Sequence, residues 1–242
     1  MISFVIPAHN EEFELPSTIA AIHEAATASG NERYEIIVVD DASTDSTAAV
    51  ATAAGARVIS INRRQIAAAR NAGARAAQGG TLFFIDADTR INKKQITGAM
   101  AALEAGYVGG GARIIPDGFV PAWGRFFVSI FGTVYFGLNF GAGAFLFTTR
   151  ANFEAAGGFD ETYFIGEEVY FSLALRRLGR FKILREPVLS SGRKLRMYKA
   201  RYVLPRLFSI IIRGRRAAQA RAGLDLWYNG RREGNYPPCC EG

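Results

Sequence analysis

Apolar residues in this chain gather into short continuous runs separated by longer stretches of helical period. Ile2–Ile6, Ile36–Val39, Val58–Ile61 and Thr81–Ile85 are runs rich in β-branched and aromatic residues, the pattern of strands buried on both faces of a parallel sheet. Between them, residues 11–29 place Leu15, Ile19, Ile22, Ala25 and Ala26 at an approximate helical period, and 46–54, 65–77 and 93–104 read as further helices. Pro7 and Asn10 stop the first strand. Ser43, Asp45 and Ser46 offer N-cap chemistry to the second helix, Gly79-Gly80 ends the third and Gly106 the fourth. Strands alternating with helices through short links predict an α/β fold, a mostly parallel sheet flanked by helices with right-handed crossovers.

Past Gly109-Gly110-Gly111 the alternation loosens. From Phe126 to Thr149 there are 24 residues without a charge, between Arg125 and Arg150. That length alone would allow a membrane span. Gly132, Gly137, Gly141 and Gly143, with Ser129 and Asn139, argue instead for a buried or interfacial helix followed by a core strand at 144–148. A helix at 151–156, another at 167–178 and a strand at 181–184 follow. From Pro187 to Leu224 there is no acidic residue, while ten Lys/Arg fall between Arg193 and Arg221. Leu204, Leu207, Phe208, Ile211 and Ile212 lie at helical spacing among them. Such a basic amphipathic helix suits the surface of an anionic membrane, or equally packing on the domain by its stripe.

Composition sharpens this division. An apolar fraction of 49% is ample for a large core and unlike a disordered chain. Residues 1–186 hold 17 Lys/Arg against 19 Asp/Glu, and residues 187–242 hold 12 against 3, so the net charge of +7 belongs to the C-terminal quarter. Its confinement to one appendage with an aliphatic stripe argues against nucleic acid as partner. The two cysteines, Cys239 and Cys240, are adjacent and cannot staple a core, which fits a reducing compartment. No basic n-region precedes Ile2, and the first apolar run is too short for a secretory signal. The expectation is a cytoplasmic protein, with peripheral contact at the inner face of the membrane.

Candidate chemistry sits where strands end. Val39 leads into Asp40-Asp41, and Ile85 into Asp86-Ala87-Asp88. In open α/β sheets, ligands bind at the carboxyl ends of strands. Strand alternation would point Asp86 and Asp88 the same way. Two oxygen donors are what Mg²⁺ usually takes from protein when a diphosphate supplies most of the rest.

Five stretches, in order, resemble glycosyltransferase family 2, whose members have the GT-A nucleotide-sugar-binding fold. These are Pro7-Ala8-His9-Asn10-Glu11-Glu12, Val38–Asp45, Ala69-Arg70-Asn71-Ala72-Gly73, Ile85-Asp86-Ala87-Asp88, and Gly157–Glu161 leading to Gly166-Glu167-Glu168. The resemblance covers about residues 1–190. It implies a GT-A domain over 1–190, with a nucleotide-sugar half (1–106) and an acceptor half (107–190), ahead of a helical segment and tail over 191–242. It implies that Pro7, Ala8, His9, Asn10 and Glu11 line base and ribose, that Asp41 or Asp40 accepts from the base imide, and that Arg70 lies near base or diphosphate. Asp86 would touch ribose and metal, Asp88 the Mg²⁺ or Mn²⁺ directly. Gly143 and Asp160 join the substrate-binding set, and Arg193 is a candidate to close over the diphosphate or simply to begin the basic helix.

The implied reaction is metal-dependent transfer of a sugar from a nucleoside diphosphate sugar to an acceptor hydroxyl or phosphate, with inversion. The basic tail and the uncharged segment extend the reading to a lipid-linked acceptor. Where most of the family has Glu-Asp, this chain has Glu167-Glu168, so the base falls on Glu168, one methylene longer, with Glu167 as the alternative. That departure keeps a second reading open, a degenerate member that binds donor without turnover. A nucleotidyltransferase would want glycines soon after the first strand, and residues 8–12 contain none. The loops around 109–125 and 160–166 are expected to set substrate identity.

Overall fold

A computed structural model describes residues 1–221 and Leu224. Its frame is one eight-stranded sheet. The strands are β1 (Ile2–Ala8), β2 (Tyr34–Asp41), β3 (Arg57–Ile61), β4 (Thr81–Ile85), β5 (Thr89–Arg90), β6 (Gly109–Asp117), β7 (Phe145–Thr149) and β8 (Phe181–Ser191). They lie in the order β3-β2-β1-β4-β7-β6-β8-β5. The first four in space are parallel, as the alternating pattern predicts. β7 then runs antiparallel to both β4 and β6, β8 is parallel to β6, and β5 closes the edge antiparallel to β8. The helices between them are α1 (Leu15–Ala28), α2 (Thr47–Ala53), α3 (Ile66–Ala76), α4 (Lys93–Glu104), α5 (Ala122–Gly137), α6 (Arg150–Ala155) and α7 (Glu167–Leu178).

Two apolar layers hold the sheet. On one face Phe4, Ile6, Phe83, Phe145 and Phe147 pack under α1 and α4. On the other, Val5, Ile37, Val39 and Phe84 meet α3 and the rings of Phe153, Phe159 and Phe171. Strand alternation therefore divides each central strand between the layers, as period 2 requires. His23 ties the elements together: its ring nitrogens meet the Tyr34 hydroxyl at 2.7 Å and the Ala54 carbonyl at 3.1 Å.

Several sequence boundaries move for physical reasons. Pro7 lies inside β1 instead of ending it. Its pairing partner is Val39 of β2, and β4 pairs only as far as Val5, so one side of the strand needs no further donor there. The segment 109–125, expected as a loop, begins with strand β6. Its three glycines are needed where the sheet is tightest: a Cβ on Gly110 would stand 2.1 Å from the Lys182 carbonyl oxygen. Gly110→Ala should destabilise the fold by ~1–3 kcal/mol through overpacking, readable as a lowered urea midpoint at unchanged slope.

The C-terminal segment is three helices rather than one, α8 (Arg193–Met197), α9 (Ala200–Arg213) and α10 (Arg215–Ala218). Leu204 and Phe208 are exposed on α9, whereas the side chains of Leu207, Ile211 and Ile212 fall outside the described set, as do Cys239 and Cys240. Among the described residues, no helix is long and apolar enough to cross a membrane. The uncharged run is α5 followed by β7, the helix and core strand the sequence suggests.

Candidate active site

The carboxyl ends of β1, β2 and β4 open onto one cleft. Pro7, Ala8, His9 and Glu11 line it from β1, Asp41 from β2, and Asp86, Ala87 and Asp88 from the turn after β4. Arg64, Gln65, Ile66 and Ala69 enter from the start of α3, and Arg193 and Lys194 from α8. The strand-alternation argument does not reach Asp86 and Asp88, because β4 ends at Ile85 and the Thr89 N–H donates to the Asp86 carbonyl at 3.0 Å, closing a turn. Both still line the cleft. Each carboxylate meets a different cation.

The loop after β1 is knitted to the loop after β2. Asn10, at φ 54°, accepts from the Thr44 N–H at 2.8 Å and donates its own N–H to Ser43 Oγ. Asn is one of the few residues that tolerate this left-handed backbone. Glu11 donates its N–H to Thr47 Oγ1 at 2.8 Å, while the His9 ring meets the Asp41 carbonyl at 2.9 Å and the Arg64 guanidinium. Asp41 accepts from the backbone N–H groups of Arg63, Arg64 and Gln65, each at 2.7 Å. An anion at that point satisfies the orphan donors leading into α3. Asp40 faces elsewhere: its carboxylate accepts from the Ser43 N–H at 3.1 Å, and it does not line the cleft.

Arg70 is the hub between the turn after β4, the segment before β7 and the first turn of α7. One of its terminal nitrogens, Nη2, donates to Asp86 at 2.8 Å and to the Gly143 carbonyl at 3.1 Å, and the other, Nη1, donates to Glu167 at 2.6 Å. The side chain is 2% exposed. Gly143 is glycine for a local reason, since a Cβ there would lie 2.7 Å from Nη2. Around this one guanidinium stand Asp86, Glu167 and Glu168. Burial, then the charge of Glu167, push the Glu168 carboxyl up to about 8 despite Arg70. Burial also raises Glu167, opposed by its ion pair with Arg70. The left-handed Gly166 (φ 75°) turns the chain into α7 and sets both acids on its first turn.

A second buried pair closes the other wall. Arg193 grips Glu11 through two parallel bonds of 2.7 and 2.6 Å and reaches Asp88 at 3.2 Å. Burial, with Glu11 and Asp86 as further anions, raises Asp88 to about 6 although Arg193 pulls the other way. Asp160 is exposed, accepts from Thr162, and does not line the cleft. The loop it begins is fastened from α3: Asn71 donates to the Phe159 carbonyl at 2.8 Å and Gln65 to the Tyr163 carbonyl at 3.3 Å.

Sequence reasoning missed Gln65, Arg64 and Tyr135. Gln65, one residue before the predicted helix pattern becomes apolar, carried no charge to draw notice. Tyr135 lies in the uncharged run, yet its hydroxyl bears on Glu168 and donates to the Gly141 carbonyl at 2.9 Å. Among the described residues, no group of three or more His, Cys, Asp or Glu forms a self-sufficient metal cage. Two carboxylates on an open cleft nonetheless suit a hard cation that shares its shell with a diphosphate, and the Asp86 side chain is 38% exposed there.

Comparison with known proteins agrees with this architecture. An uncharacterised glycosyltransferase of Mycobacterium tuberculosis is 35% identical over 105 residues, 43% of this chain and 44% of that protein. An undecaprenyl-phosphate 4-deoxy-4-formamido-L-arabinose transferase of Shewanella sediminis is 32% identical over 113 residues, 44% of this chain and 34% of that protein. The match thus spans less than half the length of either relative. A mannosyltransferase from Pyrobaculum calidifontis, solved with GDP-Man and Mn²⁺, superposes with a TM-score of 0.61 at 17% identity, covering 95% of this chain and 72% of that one. The model for glycosyl transferase family 2 matches residues 3–159, from β1 through the Gly-Gly-Phe turn, and the chain belongs to that family.

Proposed function

We propose that this protein transfers a sugar from a nucleoside diphosphate sugar to an acceptor hydroxyl or phosphate, by a single displacement with inversion. The observation that carries the reading is the convergence of Asp41, Asp86 and Asp88 on one cleft, with Glu168 across the Arg70 hub. Pro7, Ala8, His9 and Glu11 line the base and ribose. Asn10 holds their loop, and Asp41 orders the α3 entry, keeping room on Oδ2 for one further donor such as a base imide.

Asp86 and Asp88 are the residues that would hold Mg²⁺ or Mn²⁺, which when bound would supply Lewis-acid stabilisation of the departing diphosphate. Because a carboxyl must be ionised to bind metal, Asp88 at about 6 makes a prediction. Mn²⁺ affinity should fall by roughly tenfold per pH unit below 6 and level off above it, a profile measurable by electron paramagnetic resonance of free Mn²⁺.

Glu168 is the base. As the oxygen of a hydroxyl acceptor attacks the anomeric carbon, its proton passes to Glu168, the bond to the diphosphate oxygen breaks, and the electron pair leaves with that oxygen; a phosphate acceptor attacks as its anion, with no proton to give up. Glu167 is engaged by Arg70 at 2.6 Å, and that positive charge opposes its taking a proton. Arg193 and Lys194 border the cleft where the leaving charge develops and can stabilise it.

A polyprenyl-phosphate or similar lipid-linked acceptor fits the basic C-terminal helices and the named activity of the Shewanella relative. The test is release of free nucleoside diphosphate from a panel of donors in the presence of a detergent-dispersed polyprenyl phosphate acceptor, with Mn²⁺ or with chelator. Release from at least one donor, abolished by chelator, supports the proposal; binding without release assigns the degenerate reading.

A further inference from the structure

One face of α5 has no partner among the described residues. Phe126, Ile130 and Val134 recur every fourth residue along it and Leu138 continues the row, and these four side chains are 70, 52, 58 and 56% exposed. Phe119, just before the helix, is 73% exposed, and Ile115 at the end of β6 is 47% exposed. Residues three and four apart share a helix face, so this is one continuous apolar stripe rather than scattered surface hydrophobes.

Its electrostatic setting is equally one-sided. Residues 118–153 contain no Asp or Glu. The basic helix α8 packs on the near end of α5: Arg196 donates to the carbonyls of Asp117 at 3.0 Å and Phe119 at 3.4 Å, and Leu195 borders Gly124. The Lys/Arg-rich segment without acids therefore begins where the stripe begins. An apolar row beside cations, with no anion in either segment, complements a bilayer carrying negative headgroups.

We infer that the Phe126/Ile130/Val134/Leu138 face of α5 docks shallowly into an anionic lipid surface, with α8 supplying the first cations. The inference rests on the proposed transfer to a lipid-borne acceptor, and it says how such an acceptor arrives. α5 carries Tyr135, whose hydroxyl bears on Glu168, so the helix that sits in the headgroups also flanks the base. A phosphate-headed lipid in the same leaflet then needs no extraction into water to reach the site.

The test uses the full chain and its Phe126→Ser/Ile130→Ser/Val134→Ser variant. Each is sedimented with vesicles of phosphatidylcholine alone or with about one-third phosphatidylglycerol, at low and high salt. The wild type should pellet with the anionic vesicles at low salt, and the variant's partition should fall by at least about a hundredfold, since each buried apolar anchor is worth about tenfold or more. Equal pelleting of variant and wild type, or none by wild type, overturns the inference. So does a wild-type dimer that the variant converts to monomer, which would make the face a contact between copies. Nucleoside diphosphate release, measured without vesicles but with a detergent-dispersed polyprenyl phosphate acceptor, separates the two readings: release without vesicle binding sinks only the surface, and binding without release sinks only the enzyme. Trp123 offers a second readout, because it is the only other tryptophan besides Trp227. In a Trp227→Phe background its emission should shift to the blue on docking.

Discussion

Glu168→Gln should lower kcat by about 10²- to 10⁴-fold, the usual contribution of a general base, while donor affinity changes little. The same group predicts the pH profile. With its carboxyl near 8, the ionised fraction rises as pH climbs toward that value. The free-enzyme parameter kcat/KM should therefore increase about tenfold per unit below pH 8 and plateau above it. Stability runs the other way. The folded protein keeps a proton that the unfolded chain releases near 4.5, so the native state binds more protons between those two values and loses stability as pH rises through them. Glu168→Gln removes that penalty. At pH 8 the variant should melt higher than the wild type while being nearly inactive. A residue serving only structure would lose both. Glu167→Gln retaining most turnover completes the assignment; the reverse result would move the base to Glu167.

Arg70 carries the second large effect. Arg70→Leu leaves Glu167 a buried, uncompensated carboxyl and takes from the half-exposed Asp86 its partner, a loss of ~3–5 kcal/mol that falls mainly on Glu167. For a chain of this size that corresponds to a drop of roughly 10 °C in melting temperature. Lysine should not rescue it. The native fork serves Glu167 with one nitrogen and Asp86 with the other, and a single ammonium cannot span both. Since Arg70 ties the turn after β4 to the first turn of α7, Arg70→Lys should also lower kcat more than it raises KM. A denaturation curve and a kinetic series on one preparation check both statements. An Arg70→Lys protein with wild-type melting and kcat would mean that the hub is not a hub.

Much of the N-terminal half was legible because strands there are continuous apolar runs and two of its helices begin on Ser46 and Asn92. α4 illustrates this, with Asn92 capping the Lys94 N–H and Gln95 returning to the Asn92 N–H. The second half resisted because its strands are shaped by packing rather than by pattern. β6 opens on three glycines, a sequence that reads as a break until Lys182 and Phe147 are seen pressed against it. β8 carries Arg185, Glu186 and Pro187 within its span, and only its fixed place beside β6 overrides their poor strand preference.

At the site, the carboxylates were visible as residues ending apolar runs, but their partners were not. That Arg193 comes from a helix 182 residues beyond Glu11 to bind it is a fact of topology. That Asp40 serves a turn while Asp41 faces the cleft follows from one step of strand alternation. Tyr135 shows no signal at all without coordinates, since an aromatic in an uncharged run is ordinarily core.

The most direct measurement is calorimetric titration of nucleoside diphosphate into wild type and Asp88→Asn, with Mn²⁺ and with chelator. We predict binding by wild type that requires Mn²⁺ and is weakened at least about tenfold in the variant, as one lost ligand or its charge would give. Tight, metal-independent binding that Asp88→Asn leaves unchanged would place the nucleotide away from the cleft between β1, β2 and β4.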